Sequence, residues 1–130
     1  MADESRYISQ APVMTPVGAK VRALRAARGE TLKDMAEELH ISAAYLSALE
    51  HGHRGRPRAN LVRQICDHFE LIWDDAEALQ RLARRSRPRV VIDTAGLTPA
   101  HTELANALAE KIATLDEATA KGLIEAVEKG

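Results

Sequence analysis

Between Thr31 and Gly52 the chain reads TLKDMAEELHISAAYLSALEHG, and this stretch restricts the possible folds more than any other. Thr31 and Ser42 are hydroxyl residues that each precede an amphipathic run, the signature of an N-cap ahead of a helix. Asp34, three residues after Thr31, completes a capping-box-like arrangement. Met35, Ala36 and Leu39 on the first run and Leu46 and Leu49 on the second recur at helical spacing, with Ile41 as a further buried position between them. The pattern predicts one helix from Leu32 to about Leu39 and another, capped by Ser42, running to about His51. A connection this short forces the two helices to cross steeply, and Ala36 is small where they must approach. His40 falls at the turn between them.

The flanking sequence extends this into a bundle. Thr15-Pro16 is a cap followed by Pro at the first helical position, and Val17, Val21, Leu24 and Arg28 then step at helical spacing until Gly29. A fourth helix is predicted over about Ala59 to Leu71, with Leu61, Ile65, Phe69 and Ile72 inward. Asp74 is read as the cap of a fifth helix whose apolar stripe is Leu79 and Leu82, and Trp73 just before it as a core or interface anchor. Residues 1–14 show no periodicity and are expected to form a mobile arm. After Pro88 the texture changes: Arg89-Val90-Val91-Ile92-Asp93 is a short β-branched run, either an isolated strand or an extended tie, within a linker over 87–97. Thr98-Pro99 repeats the cap-then-Pro device. Leu104, Leu108, Ile112 and Leu115 follow as one stripe, then Asp116 caps a last helix carrying Leu123, Ile124 and Val127. This C-terminal helical hairpin, 98–129, has one narrow stripe per helix and must pack on the first domain, a second copy of the chain or a partner.

Composition excludes much else. A chain of 130 residues accommodates one domain, or one with an appendage. Ala and Leu dominate over Val, Ile and Thr, which makes the fold class all-α. No apolar run is long enough to span a membrane, and the acidic, polar start is unlike a secretory signal. Cys66 alone cannot build a disulfide framework, so a cytoplasmic location is expected and Cys66 is read as a small core residue. Aromatics make up only 3%, too few for a platform that stacks single-stranded bases.

The formal net charge of −1 conceals an asymmetry. Residues 1–90 carry 15 basic and 12 acidic side chains, whereas residues 91–130 carry 3 and 7. His51–Arg63 holds four Arg and Arg81–Arg89 holds five, neither with an acid. Local basic patches of this kind are the electrostatic footprint of a small nucleic-acid binder.

Over roughly residues 16–85 the chain resembles the Cro/repressor (XRE-type) helix-turn-helix family. The resemblance rests on VGAKVRALRAARG, on TLKDMAEEL, on ISAAYLSALEHG and on the Pro57…Leu61…Ile65 pattern. It implies a five-helix, lambda-repressor-like DNA-binding domain that works as a homodimer on a near-palindromic operator of double-stranded DNA. It implies nothing about the C-terminal hairpin. Thr31, Lys33 and Tyr45 would then position the backbone, while Ser42, Ala43, Ala44, Ser47 and His51 face bases from the helix that enters the major groove.

Departures from the family pattern shape the expectation. His40 stands where Gly is frequent, and Leu32 and Ala43 stand where Gln is frequent. The outer face of the recognition helix therefore lacks the Arg, Asn and Gln forks of bidentate base readout. The following loop, His51 to Arg58, is one residue longer than the common spacing. Its His53, Arg54, Arg56 and Arg58 are expected to hold phosphates or to reach a narrow minor groove.

Other candidates are weaker. His51-x-His53 has no third or fourth ligand at suitable spacing, so no metal and no other cofactor is expected. Cys66 and His68 point to different helix faces and form no dyad. Glu37-Glu38 and Asp74-Asp75 are surface or helix-start charge, and no phosphate loop, nucleophile elbow or metalloprotease motif occurs, so no enzyme is expected. The expectation is a transcriptional repressor; the alternative is the antitoxin of a toxin–antitoxin pair, with the hairpin bound to the toxin.

Overall fold

The computed structural model describes residues 15–51 and 57–130 and divides the chain into two compact units, Met1–Val90 and Val91–Gly130. The described residues are all-helical, as the composition requires, with seven α-helices and one 3₁₀ turn. In the first unit these are α1 (Pro16–Ala27), α2 (Leu32–Leu39), α3 (Ala43–Glu50), α4 (Ala59–His68) and α5 (Trp73–Arg84). The second unit holds α6 (Pro99–Lys111), the 3₁₀ turn Ile112–Thr114 and α7 (Glu117–Lys129). The expected N-terminal arm lies outside the described residues.

Helix starts follow local chemistry. Thr15, Thr31, Ser42, Thr98 and Asp116 each accept from a backbone N–H of the first turn, as N-caps do. Thr98 pairs with His101 in a reciprocal capping box. Helix ends are just as local. After α1, Gly29 N donates to Ala26 O and Glu30 N to Arg25 O; after α2, His40 N donates to Glu37 O and Ile41 N to Ala36 O. After α4, Glu70 N donates to Asp67 O and Leu71 N to Cys66 O. These are three Schellman closures whose left-handed residues are Gly29, His40 and Glu70.

The core of the first unit joins all five helices: Val17 and Val21 of α1, Met35, Ala36 and Leu39 of α2, Leu46 and Leu49 of α3, Leu61, Val62, Ile65 and Cys66 of α4, and Leu79 and Ala83 of α5, with Phe69. Ile41 is half-buried against this cluster, at the position that follows the left-handed residue. α1 packs on α3 and α5, α2 on α3 and α4, and α4 on α5. Ser86 fastens the far end of α5 to α1: its Oγ accepts from Val17 N at 3.0 Å and donates to Leu82 O at 2.6 Å. Cys66 is buried, and that burial, followed by the nearby Asp67 carboxylate, pushes its thiol above the ordinary range. The core reading of Cys66 holds.

The turn between α4 and α5 departs from expectation. α4 ends at His68, and Ile72 is exposed instead of continuing the inward stripe. Trp73 is 83% exposed, so it is not a core residue. Asp74 is not the cap; Ile72 occupies that position, without a side-chain hydrogen bond, and Asp74 and Asp75 lie in the first turn of α5. The physical reason is that Glu70 and Trp73 both adopt positive φ, at 56° and 52°. They reverse the chain and turn Ile72 and Trp73 outward. Asp74 and Asp75 still favour the helix start through its dipole.

In the second unit neither helix has a buried residue. Leu104, Ile112, Leu123, Ile124 and Val127 are exposed, while Ala105, Leu108, Leu115 and Ala120 are half-buried. Val90–Thr94 forms neither helix nor strand, so the β-branched run is not a strand.

Candidate nucleic-acid interface

Buried contacts beneath α3 fix its position on the core. Gly18 of α1 lies against the last residue of α3: a Cβ there would sit 2.4 Å from Glu50 O. Only glycine permits that approach. Beside it, Glu50 is 1% exposed and receives two bonds from Arg25, Nε to Oε2 and Nη2 to Oε1, each 3.0 Å. Arg25 Nη1 also donates to Glu30 O at 3.2 Å. The hydrogen bond to Glu50 raises the guanidinium further above its ordinary range. At the other end of α4, His68 Nε2 lies 2.9 Å from both Glu30 carboxylate oxygens, and Arg28 sits 5.0 Å above the Phe69 ring. The α1–α2 turn is thereby tied to α4.

Above this base, α3 turns Ser42, Ala43 and Ala44 to solvent. Tyr45, Ser47 and His51 are half-buried. Ser42 Oγ accepts from Tyr45 N at 3.0 Å, so its lone pair closes the helix start and its hydroxyl proton remains available to donate. His51 is turned back along α3: its Nδ1 is 2.9 Å from Ser47 O and 3.3 Å from Ser47 Oγ. This contact fixes the ring over the last turn of the helix.

Ser42 and Tyr45 share a groove of about 530 Å³ with Arg58, Asn60 and Gln64. The expected contact residues Ser42, Tyr45 and Arg58 thus come together, with Ala43 and Ala44 adjacent on the exposed first turn of α3. Thr31 and Lys33 are exposed at the start of α2, where Thr31 Oγ1 accepts from Asp34 N at 3.0 Å, and they do not line this groove. His53, Arg54 and Arg56 lie outside the described residues. Asn60 and Gln64 were missed by the sequence reading. They were detectable as an exposed i, i+4 polar pair on α4, beside the buried Leu61 and Ile65, but only the fold puts them in one groove with Ser42 and Tyr45.

Among the described residues no group of three or more His, Cys, Asp or Glu could hold a metal ion, and no helix is long and apolar enough to cross a membrane.

The transcriptional regulator ClgR of Mycobacterium tuberculosis, in strains CDC 1551 / Oshkosh and ATCC 25618 / H37Rv, is 33% identical to this chain over 73 residues. The match covers 55% of this chain and 64% of the relative. No solved structure matches. A helix-turn-helix domain family matches residues 16–80, which run from the start of α1 into α5 and contain the whole α2–α3 unit. The chain belongs to the helix-turn-helix domain family.

Proposed function

We propose that this protein is a sequence-specific, double-stranded DNA-binding transcriptional regulator that acts as a dimeric repressor. The observation that carries the reading is the shared groove of Ser42, Tyr45, Arg58, Asn60 and Gln64, set beside the exposed first turn of α3. In this reading α3 enters the major groove with Ser42, Ala43, Ala44 and Ser47 toward base edges. Alanine methyls meet thymine methyls and serines accept or donate to either base, which discriminates modestly. Arg58 holds a phosphate, and Asn60 and Gln64 supply the amide forks that α3 lacks. Thr31, Lys33 and Tyr45 fix the backbone, His51 faces bases at the end of α3, and His53, Arg54 and Arg56 add the loop contacts expected from the sequence. The naming of ClgR as a transcriptional regulator supports the same role.

Selection of sheared genomic DNA by the purified chain at near-physiological salt tests this reading, because non-specific phosphate binding is weak there. Enrichment of a palindromic motif with half-sites about one helical turn apart is the expected result. Enrichment of nothing over input DNA overturns it.

A second reading draws on the uncovered stripe of α6 and α7, whose large apolar residues find no core within their own unit. That stripe must pack on the first unit, on a second copy of the chain or on another protein. A second copy fits the dimeric repressor; a toxin fits an antitoxin that uses the same DNA-binding unit for autoregulation. Light scattering of the purified chain separates them, since a stable dimer covers the stripe without any other protein.

A further inference from the structure

A second groove, of about 580 Å³, lies between α4 and α5. Its floor includes Val62 and Ala83, both also part of the core, and Gln80 reaches it from α5. Three arginines rim it: Arg58 ahead of α4, Arg63 on α4 and Arg84 on α5. Among the described residues no acidic side chain lines the groove. Among the described residues none of the three guanidiniums pairs with a carboxylate; Arg63 Nη2 donates instead to the Asn60 amide oxygen at 3.1 Å.

We propose that this groove binds a small amphiphilic anion, a carboxylate or phosphate ester carried on a short apolar body. Three like charges around one small perimeter repel each other, and a single anion between them removes that cost. Guanidinium forks match the two oxygens of a carboxylate or phosphate. The Val62–Ala83 floor accepts an apolar body that a bare anion lacks, and the volume lies within the range of small-ligand sites, about 300–1,000 Å³. Arg58 also lines the groove beside Ser42 and Tyr45. A bound anion therefore draws on the same guanidinium that holds a DNA phosphate and weakens operator binding; this consequence, unlike the site itself, rests on the DNA-binding reading.

The test is an NMR titration of the full chain that follows the Val62 and Ala83 methyl resonances at constant ionic strength. The probes are octanoate, hexyl phosphate, inorganic phosphate and 1-octanol. A saturable shift with octanoate or hexyl phosphate is expected, and the stronger of the two identifies the head group. Inorganic phosphate and octanol are expected to bind at least about tenfold more weakly, since each lacks half of the recognition. R63Q/R84Q, at two exposed positions, is expected to lose about tenfold for the amphiphile with the amide spectrum otherwise retained. R63K/R84K, which keeps the charge and removes the fork, falls between.

No saturable shift with either amphiphile overturns the proposal. So does an equal response to inorganic phosphate, which means diffuse counterion binding, or an unchanged affinity in R63Q/R84Q. If R63Q/R84Q instead lowers DNA affinity while wild-type methyls ignore the amphiphiles, the arginines are phosphate contacts and the proposal fails. The titration contains no DNA, so failure of operator binding leaves its outcome readable.

Discussion

Arg25 on α1 grips the buried carboxylate of Glu50, the last residue of α3, through two 3.0 Å bonds. Removing one partner strands the other charge in a site where Glu50 is 2% exposed by its side chain. R25A is therefore expected to destabilise the first unit by about 3–5 kcal/mol, read as a lower urea midpoint. R25M/E50M, which replaces both charges with apolar chains of similar length, is expected to recover most of that loss. A double variant as unstable as R25A would show that the pair itself, not its broken half, supplies the stability.

The neighbouring contact is steric. A Cβ at Gly18 meets the Glu50 carbonyl at 2.4 Å, and neither backbone yields without moving a helix. G18A is expected to cost about 1–3 kcal/mol and to displace the end of α3. Chemical-shift changes centred on Leu49 to His51 would show the displacement; changes confined to α1 would place the adjustment there instead.

His40 sits at φ 59° and ψ 40°, a left-handed conformation that favours glycine. Relief of the side-chain clash outweighs the greater freedom of unfolded glycine, so H40G is expected to stabilise by up to about 1 kcal/mol. Thermal unfolding checks this, and a lower Tm for H40G would mean that the imidazole itself contributes to the turn.

Gln64 and Arg58 line one groove but should differ in what they read. Q64A is expected to relax preference at one operator position by about 1–3 kcal/mol while leaving affinity for unrelated DNA unchanged. R58A should weaken all sequences alike and lower the salt slope by about one. Binding to a set of single-base operator variants at two salt concentrations distinguishes them; a uniform loss from Q64A refutes its base-reading role.

Asp116 caps α7, and hydrogen bonds from Thr119, first from its side chain and then from its backbone N–H at 2.8 Å, hold the carboxyl below the ordinary 3.8. A depressed carboxylate stabilises the folded form above its unfolded value and loses that contribution as pH falls through the folded one. The start of α7 should therefore keep its cap down to pH 3.8 and fray below it. The Thr119 amide resonance reports this directly. A midpoint at or above 3.8, or an identical profile in D116N, counts against the cap.

The sequence by itself determined the helices of both units and most of their ends. Capping hydroxyls, Pro at the first helical position, left-handed closers and a 3.6-residue apolar period act within a few residues of each other, so Thr15, Thr31, Ser42, Thr98 and Asp116 could be read directly as starts. The buried set of α2 and α3 was legible for the same reason. The α4–α5 turn was misread because apolar spacing says nothing about backbone sign: two positive-φ residues, Glu70 and Trp73, turn Ile72 and Trp73 to solvent. Only the tertiary structure decided which distant residues share a site. Arg25 meets Glu50 and Gly18 meets its carbonyl across the α1–α3 crossing, while Asn60 and Gln64 line one groove with Ser42. Those meetings depend on how helices pack, which is set by the joint fit of a five-helix core and is not encoded in the period of any one helix.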